Sequence, residues 1–138
     1  MSIDSTSGQA KASNPFAALA LQQFMLLKTF RKNGVEVPTP VWFAHEDSKL
    51  YVMTPASTAK VKRIRNNSHV TVTPCDRAGK IIGNDNELEG NASELPASEY
   101  QHAIALLARK YGLLYKIFTG FMNLRKVQRT YIEITPGS

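Results

Sequence analysis

The chain has 138 residues, 43% hydrophobic and 20% charged, which suits one globular domain with a modest core and leaves no room for a second. Seventeen Lys and Arg against eleven Asp and Glu give a formal charge of +6, so part of the surface should attract an anion: a phosphorylated ligand, nucleic acid or an acidic membrane. A single Cys75 excludes an internal disulfide and a Cys-based metal site, and no apolar run approaches the roughly 20 residues that span a bilayer, so a cytoplasmic protein is expected.

Residues 1–14 lack the basic start and apolar stretch of a secretion signal. They are rich in Ser, Thr, Gly and Ala and read as a flexible arm, leaving 15–138 as the folded domain. Asn14-Pro15 predicts a short helix start, with Phe16, Leu19 and Phe24 as its apolar contacts. Residues 24–31 are rich in β-formers, and Asn33-Gly34 predicts a hairpin into a second strand over 35–46. A turn at 46–49 leads to a third strand, 50–54, which Pro55 ends. Residues 57–67 contain no Gly or Pro and place Val61 and Ile64 three apart, predicting a short basic helix. Residues 70–73 alternate, 76–79 turn, and 80–94 return as a strand interrupted at 83–86.

Tyr100, Ala103, Ile104, Leu107 and Tyr111 fall at helical spacing, predicting a helix over 96–111 that Gly112 caps. Leu113, Leu114, Ile117, Phe118, Phe121 and Met122 continue a broad apolar face on a second helix, a face suited to a partner subunit. Residues 127–135 alternate again and close the chain as a strand. The sum is a mainly β protein, with six antiparallel strands in a barrel or curled sheet and peripheral helices.

Two features point to chemistry. Pro38 and Pro40 stand two apart in the second strand and remove donors from the same edge, which leaves nearby carbonyls and the Trp42 amide without a laddering strand. A flat heterocycle could use them; an edge strand guarded by proline against aggregation accounts for the same pattern. The segment from Thr54 to Arg65 is the second feature. Ser57 or Thr58 can cap a helix whose first amides face outward, and Lys60 in the first turn opposes the helix dipole unless an anion resides there. Arg63 can flank that anion with Lys60, while Lys62 and Arg65 lean to the other side of the Val61/Ile64 stripe. A solvated basic face is the alternative.

Five segments, 24–31, 38–43, 50–54, 59–67 and 70–76, with Leu106 to Gly112 later, resemble in order the pyridoxamine 5′-phosphate oxidase-like superfamily, and within it the small flavin/deazaflavin oxidoreductase branch. The resemblance implies a six-stranded split β-barrel and an isologous homodimer with FMN or the deazaflavin coenzyme F420 in clefts at the subunit interface. It implies that Pro40, Val41 and Trp42 border the ring system and that Thr54, Ser57, Thr58 and Lys60 hold the phosphate, with Lys62 nearby. Ala59 stands where the oxidases proper carry an Arg, which shifts phosphate contact to Arg63 or to the partner chain. Gln128 to Glu133 do not match the substrate motif of true pyridoxamine phosphate oxidases, so that reaction is not expected.

Hydride transfer between the cofactor and a small organic substrate is the implied activity, and a non-catalytic flavin or haem-related carrier on the same barrel is the alternative. Arg125, Lys126 and Arg129 either reach an anionic cofactor tail or form a solvated strand end. His45, His69 and His102 lie on separate elements without metal spacing, so no metal is expected, and no catalytic side chain is singled out. Cys75 reads as a structural thiol. Nucleic-acid binding would place aromatics on the strands beside the basic cluster, which this chain does not do.

Overall fold

The computed structural model describes residues 16, 19, 22–82 and 87–137; the arm at 1–14, the Asn14-Pro15 helix start and the interruption at 83–86 lie outside the described residues. The first strand, β1 (Phe24–Phe30), turns into β2 (Glu36–Val41). Arg31 N–H donates to the Val35 carbonyl at 2.9 Å and Gly34 N–H to the Arg31 carbonyl at 2.8 Å, with Gly34 at φ +88°. The Asn33-Gly34 signal thus serves a three-residue loop with glycine in its left-handed position.

The stretch expected as one strand over 35–46 is two. After β2 the chain breaks at Trp42 and Phe43, then resumes as β3 (Ala44–Glu46), which pairs with β4 (Lys49–Pro55). Helix α1 (Ala59–Asn66), β5 (His69–Cys75), β6 (Leu88–Glu94), α2 (Tyr100–Tyr111), α3 (Leu113–Leu124) and β7 (Arg129–Pro136) follow, with a short 3₁₀ turn at Ala97–Glu99 before α2. The single antiparallel sheet therefore has seven strands, ordered β2-β1-β5-β6-β7-β4-β3. Its two end strands are consecutive in the chain, so the sheet must curl until its ends approach at Trp42 and Phe43. This is the split-barrel arrangement the resemblance implies.

Inside the curl lies an aliphatic core that includes Met25, Leu27, Leu50, Val52, Val70, Val72, Ile132 and Ile134, and Phe16 and Leu19 are buried with it. Each such side chain contributes about 1.5–3 kcal/mol by leaving water. Helix α1 packs on β1 and β6 and presents Val61 and Ile64 to this core, the pair its spacing predicted. Gly90 admits no side chain, because a Cβ there would lie 2.7 Å from Ile134 Cγ2. On the outer face α2 packs on β3, β4 and β7 through Ala103, Leu107 and Tyr111.

At the end of α2 the Gly112 amide bonds the Ala108 carbonyl at 2.8 Å, and φ +57° with ψ −125° is backbone that favours glycine. Helix α3 then leaves at an angle and exposes most of its apolar side chains, with Leu113 71% and Leu124 79% accessible. Among the described residues, no helix is long and apolar enough to cross a membrane.

Candidate functional site

The register explains the two prolines. Arg31 and Val35 form a hydrogen-bonded pair, so along the same ladder Thr29–Val37, Leu27–Thr39 and Met25–Val41 are the bonded pairs between β1 and β2. Pro38 and Pro40 fall on the alternate positions, and their nitrogens face outward from the end of the sheet. The edge they occupy is open where the sheet splits.

A cleft of about 470 Å³ occupies that split, within the usual range for small-molecule sites. Pro40, Val41 and Trp42 form one side; Met53, Thr54 and Pro55 at the end of β4, with Lys60 of α1, form the other. Tyr111, Leu114 and Phe118 close it from the helical layer. Two further clefts of about 450 and 500 Å³ lie elsewhere, one walled largely by Glu46, Asp47, Glu99 and Glu133 and one by residues around Arg129. The second holds Lys126 and Arg129, the alternative contacts for an anionic tail, but neither holds any of the ring and phosphate candidates at 40–42 and 54–63.

Trp42 forms the aromatic floor. Its ring stacks on Tyr111 at 4.4 Å with planes 9° apart, and Phe118 leans against it at 5.3 Å. The break between β2 and β3 leaves the backbone of Phe43 without a strand partner, and Tyr111 supplies one. Its phenol oxygen accepts the Phe43 N–H at 3.0 Å and directs its single proton to the carbonyls of Gln23 (2.7 Å) and Phe43 (2.9 Å). Burial pushes the Tyr111 pKa up to about 12, so the phenol stays protonated and keeps that bond.

The polar end is a directed chain. Lys60 Nζ donates to Thr54 Oγ1 at 3.3 Å, Thr58 Oγ1 donates to the Pro55 carbonyl at 3.0 Å, and the Thr54 and Thr58 hydroxyls lie 3.4 Å apart. With those donations assigned, the Thr54 proton points to Thr58. Thr58 is the N-cap residue of α1, yet its hydroxyl makes no bond to the helix amides, so the first turn keeps donors open. Burial, then the charge of Arg63, lowers the Lys60 pKa. Among the described residues the cleft lining contains no carboxylate, so an anion is what Lys60 lacks.

The structure thus brings Pro40, Val41, Trp42, Thr54 and Lys60 into one cleft, with Thr58 one hydrogen bond behind Thr54. Ser57 and Lys62 are exposed on the first turns of the segment. Arg63 is near enough for its charge to act on Lys60 but is not part of the cleft lining: its Nε donates to Thr29 Oγ1 of β1 at 2.6 Å. Arg65 pairs with Glu94 at 2.6 Å. His45, His69 and His102 lie outside the cleft, no metal-binding cluster occurs among the described residues, and Cys75 is buried with its pKa raised by burial and by Asp76. Sequence reasoning missed Met53, Arg77, Tyr111, Leu114 and Phe118 as lining residues; Arg77 reads only as a turn residue and Tyr111 only as core.

Comparison with solved structures supports the fold throughout. The chain is similar to an FAD-binding protein from Mesorhizobium loti (17% identity, 87% of this chain and 85% of the other, TM-score 0.62). It is also similar to HutZ, the haem storage protein of Vibrio cholerae (11% identity, 100% and 92%, TM-score 0.65), and to General Stress Protein 26 of Bacillus anthracis (20%, 91% and 89%, TM-score 0.59). No curated protein sequence matches. The family model for pyridoxamine 5′-phosphate oxidase matches residues 15–137. With that match over nearly the whole chain and a split barrel whose cleft opens beside the two-proline edge, this protein belongs to the pyridoxamine 5′-phosphate oxidase family.

Proposed function

We propose that this protein is a flavin- or deazaflavin-dependent oxidoreductase that binds FMN or F420 in the cleft beside Trp42. The observation that carries this reading is the meeting of a half-buried, unneutralised Lys60 with an open backbone edge and an aromatic floor in one cleft. These residues fit such a group. Thr54 and Lys60 hold its phosphate, with Thr58 orienting the Thr54 hydroxyl; the backbone at Pro40, Val41 and Trp42 meets the rim of its ring. The group, when bound, supplies hydride transfer to or from a small organic substrate. The chain's own work is to fix position and exclude water, through apolar walls at Met53, Leu114 and Phe118.

A homodimer completes this reading. Leu114 and Phe118 belong both to the cleft and to the exposed face of α3, so a second copy seated on α3 would bury that face and close the cleft at the subunit interface. The setting is cytoplasmic, consistent with a buried, unactivated thiol at Cys75.

A carrier without turnover is the second reading, favoured by one observation: the hydroxyls of Thr54 and Tyr111 in the cleft are both engaged in internal hydrogen bonds. A haem-related ligand has less support, since among the described residues the lining holds no His or Cys and the Tyr111 phenol is committed to backbone carbonyls. The absorption spectrum and mass of the copurifying molecule, followed by titration with FMN and F420, test the reading. Binding of neither at micromolar concentration overturns it, and bound cofactor that reduces no acceptor favours the carrier. Lys60→Ala should weaken cofactor binding at least about tenfold, the worth of one charge-assisted contact; an unchanged dissociation constant places the phosphate elsewhere.

A further inference from the structure

Among the described residues the cleft lining carries two cations, Lys60 and Arg77. Lys60 stands on the bank of β4 and α1, tied to Thr54. Arg77, exposed at the tip of the turn after β5, is the second. That turn lies against the β1–β2 hairpin: a Cβ on Gly79 would sit 3.6 Å from Leu26 Cδ1 and 3.8 Å from Pro40. It is also well held. Asp76 Oδ1 accepts the amides of Ala78 and Lys80, each at 2.9 Å, and Gly79 N–H donates to the Asp76 carbonyl at 3.0 Å. The neighbouring acid is therefore occupied by backbone amides, and Arg77 makes no ion pair or side-chain hydrogen bond among the described residues. The lining also holds the apolar side chains of Trp42, Met53, Leu114 and Phe118.

We infer that Arg77 recognises the substrate, and that the substrate is a flat, apolar molecule carrying a carboxylate or comparable anion. This rests on the cofactor reading, which assigns Lys60 to the cofactor's phosphate. Once that phosphate neutralises Lys60, the guanidinium of Arg77 is the uncompensated charge left among the described residues of the lining. Its planar fork suits a carboxylate held bidentately. Leu114 and Phe118, which the cofactor reading leaves free of the ring, offer apolar surface to the flat body of the molecule, and a cationic substrate would meet like charge.

The test is equilibrium dialysis of para-nitrobenzoate and its methyl ester against the full chain, loaded with whichever of FMN or F420 it binds. The wild type should hold the carboxylate about tenfold more tightly than the ester, a difference of the size expected of one Arg–carboxylate pair. Arg77→Gln should bring that ratio to about one while leaving the ester and the cofactor within twofold of wild type, and Arg77→Lys should restore part of it. Equal binding of the two probes by wild type, or an unchanged ratio in Arg77→Gln, overturns the proposal. A tenfold loss of cofactor binding in Arg77→Gln also overturns it, assigning Arg77 to the cofactor. If neither cofactor binds, the cofactor reading fails by itself, and the probe ratio on the protein as purified still decides the role of Arg77.

Discussion

The two sides of the sheet are packed with different chemistry. Inside the curl the hydrophobic cluster is built of aliphatic side chains, Met and Phe, with no tyrosine among them. Between the sheet and the helices stand all five tyrosines of the chain, Tyr51, Tyr100, Tyr111, Tyr115 and Tyr131. The interior gains its stability from area removed from water, which has no direction. Each outer tyrosine adds a hydrogen bond that does: Tyr51 to Glu133 at 3.3 Å, Tyr100 with Thr130 at 3.0 Å, Tyr115 with Tyr131 at 3.1 Å, and Tyr111 to the Phe43 and Gln23 backbone. A directed bond fixes where a helix sits on a sheet. The interior therefore keeps the barrel folded, while the outer layer sets the floor of the cleft.

The largest expected effect is in the interior. Leu27→Ala should cost about 3 kcal/mol in urea unfolding, from lost burial and a cavity, while cofactor affinity of the folded protein stays within twofold. A tenfold loss of affinity would break the division between the two regions. Tyr111→Phe should cost about 1–2 kcal/mol, because it leaves the Phe43 amide and the Gln23 carbonyl without their partner. It should also weaken cofactor binding severalfold and diminish the near-ultraviolet dichroism of Trp42, the chain's only tryptophan. Unchanged dichroism would mean that stacking alone holds the floor.

The smallest effect belongs to the seam between the regions. Among the described residues Lys110 Nζ is buried without a hydrogen-bond partner, 3.6 Å from the centre of the Phe43 ring, and burial pushes its pKa down to about 8. The folded state disfavours the ammonium, so the cost of burying it is fully present below pH 8. That cost fades as pH rises through 8 toward the ordinary value of 10.5, where the unfolded chain also gives up its proton. Lys110→Met should therefore raise stability by about 1 kcal/mol at neutral pH, with the gain shrinking in alkaline buffer when unfolding midpoints are compared. Destabilisation at neutral pH would show that the cation–π contact with Phe43 outweighs the burial.

Much of the fold is legible in local pattern. The β-rich run of β1, the Val61/Ile64 pair of α1 and the helical stripe of α2 each depend on residues close together in the chain, and these elements stand within a few residues of expectation. The residues at 35–46 deceive because a β-period says which positions face inward and nothing about which strand lies alongside. Here the partner changes from β1 to β4 in mid-run. Arg63 deceives for a related reason: helical spacing puts it near Lys60, but the choice between Thr29 and the cleft depends on where β1 lies beneath the helix.

By itself the sequence determined the types of element, the edge position of the two-proline strand and the basic helix start at Lys60, since each depends on residues close together in the chain. Only the tertiary structure decided that Pro40, Trp42, Thr54 and Lys60 share one cleft, that Tyr111 staples the strand break beside it, and that Arg77 joins its lining. Those placements follow from the curl that brings the two ends of the sheet together. The curl is a property of strand order, and no local pattern of residues encodes it.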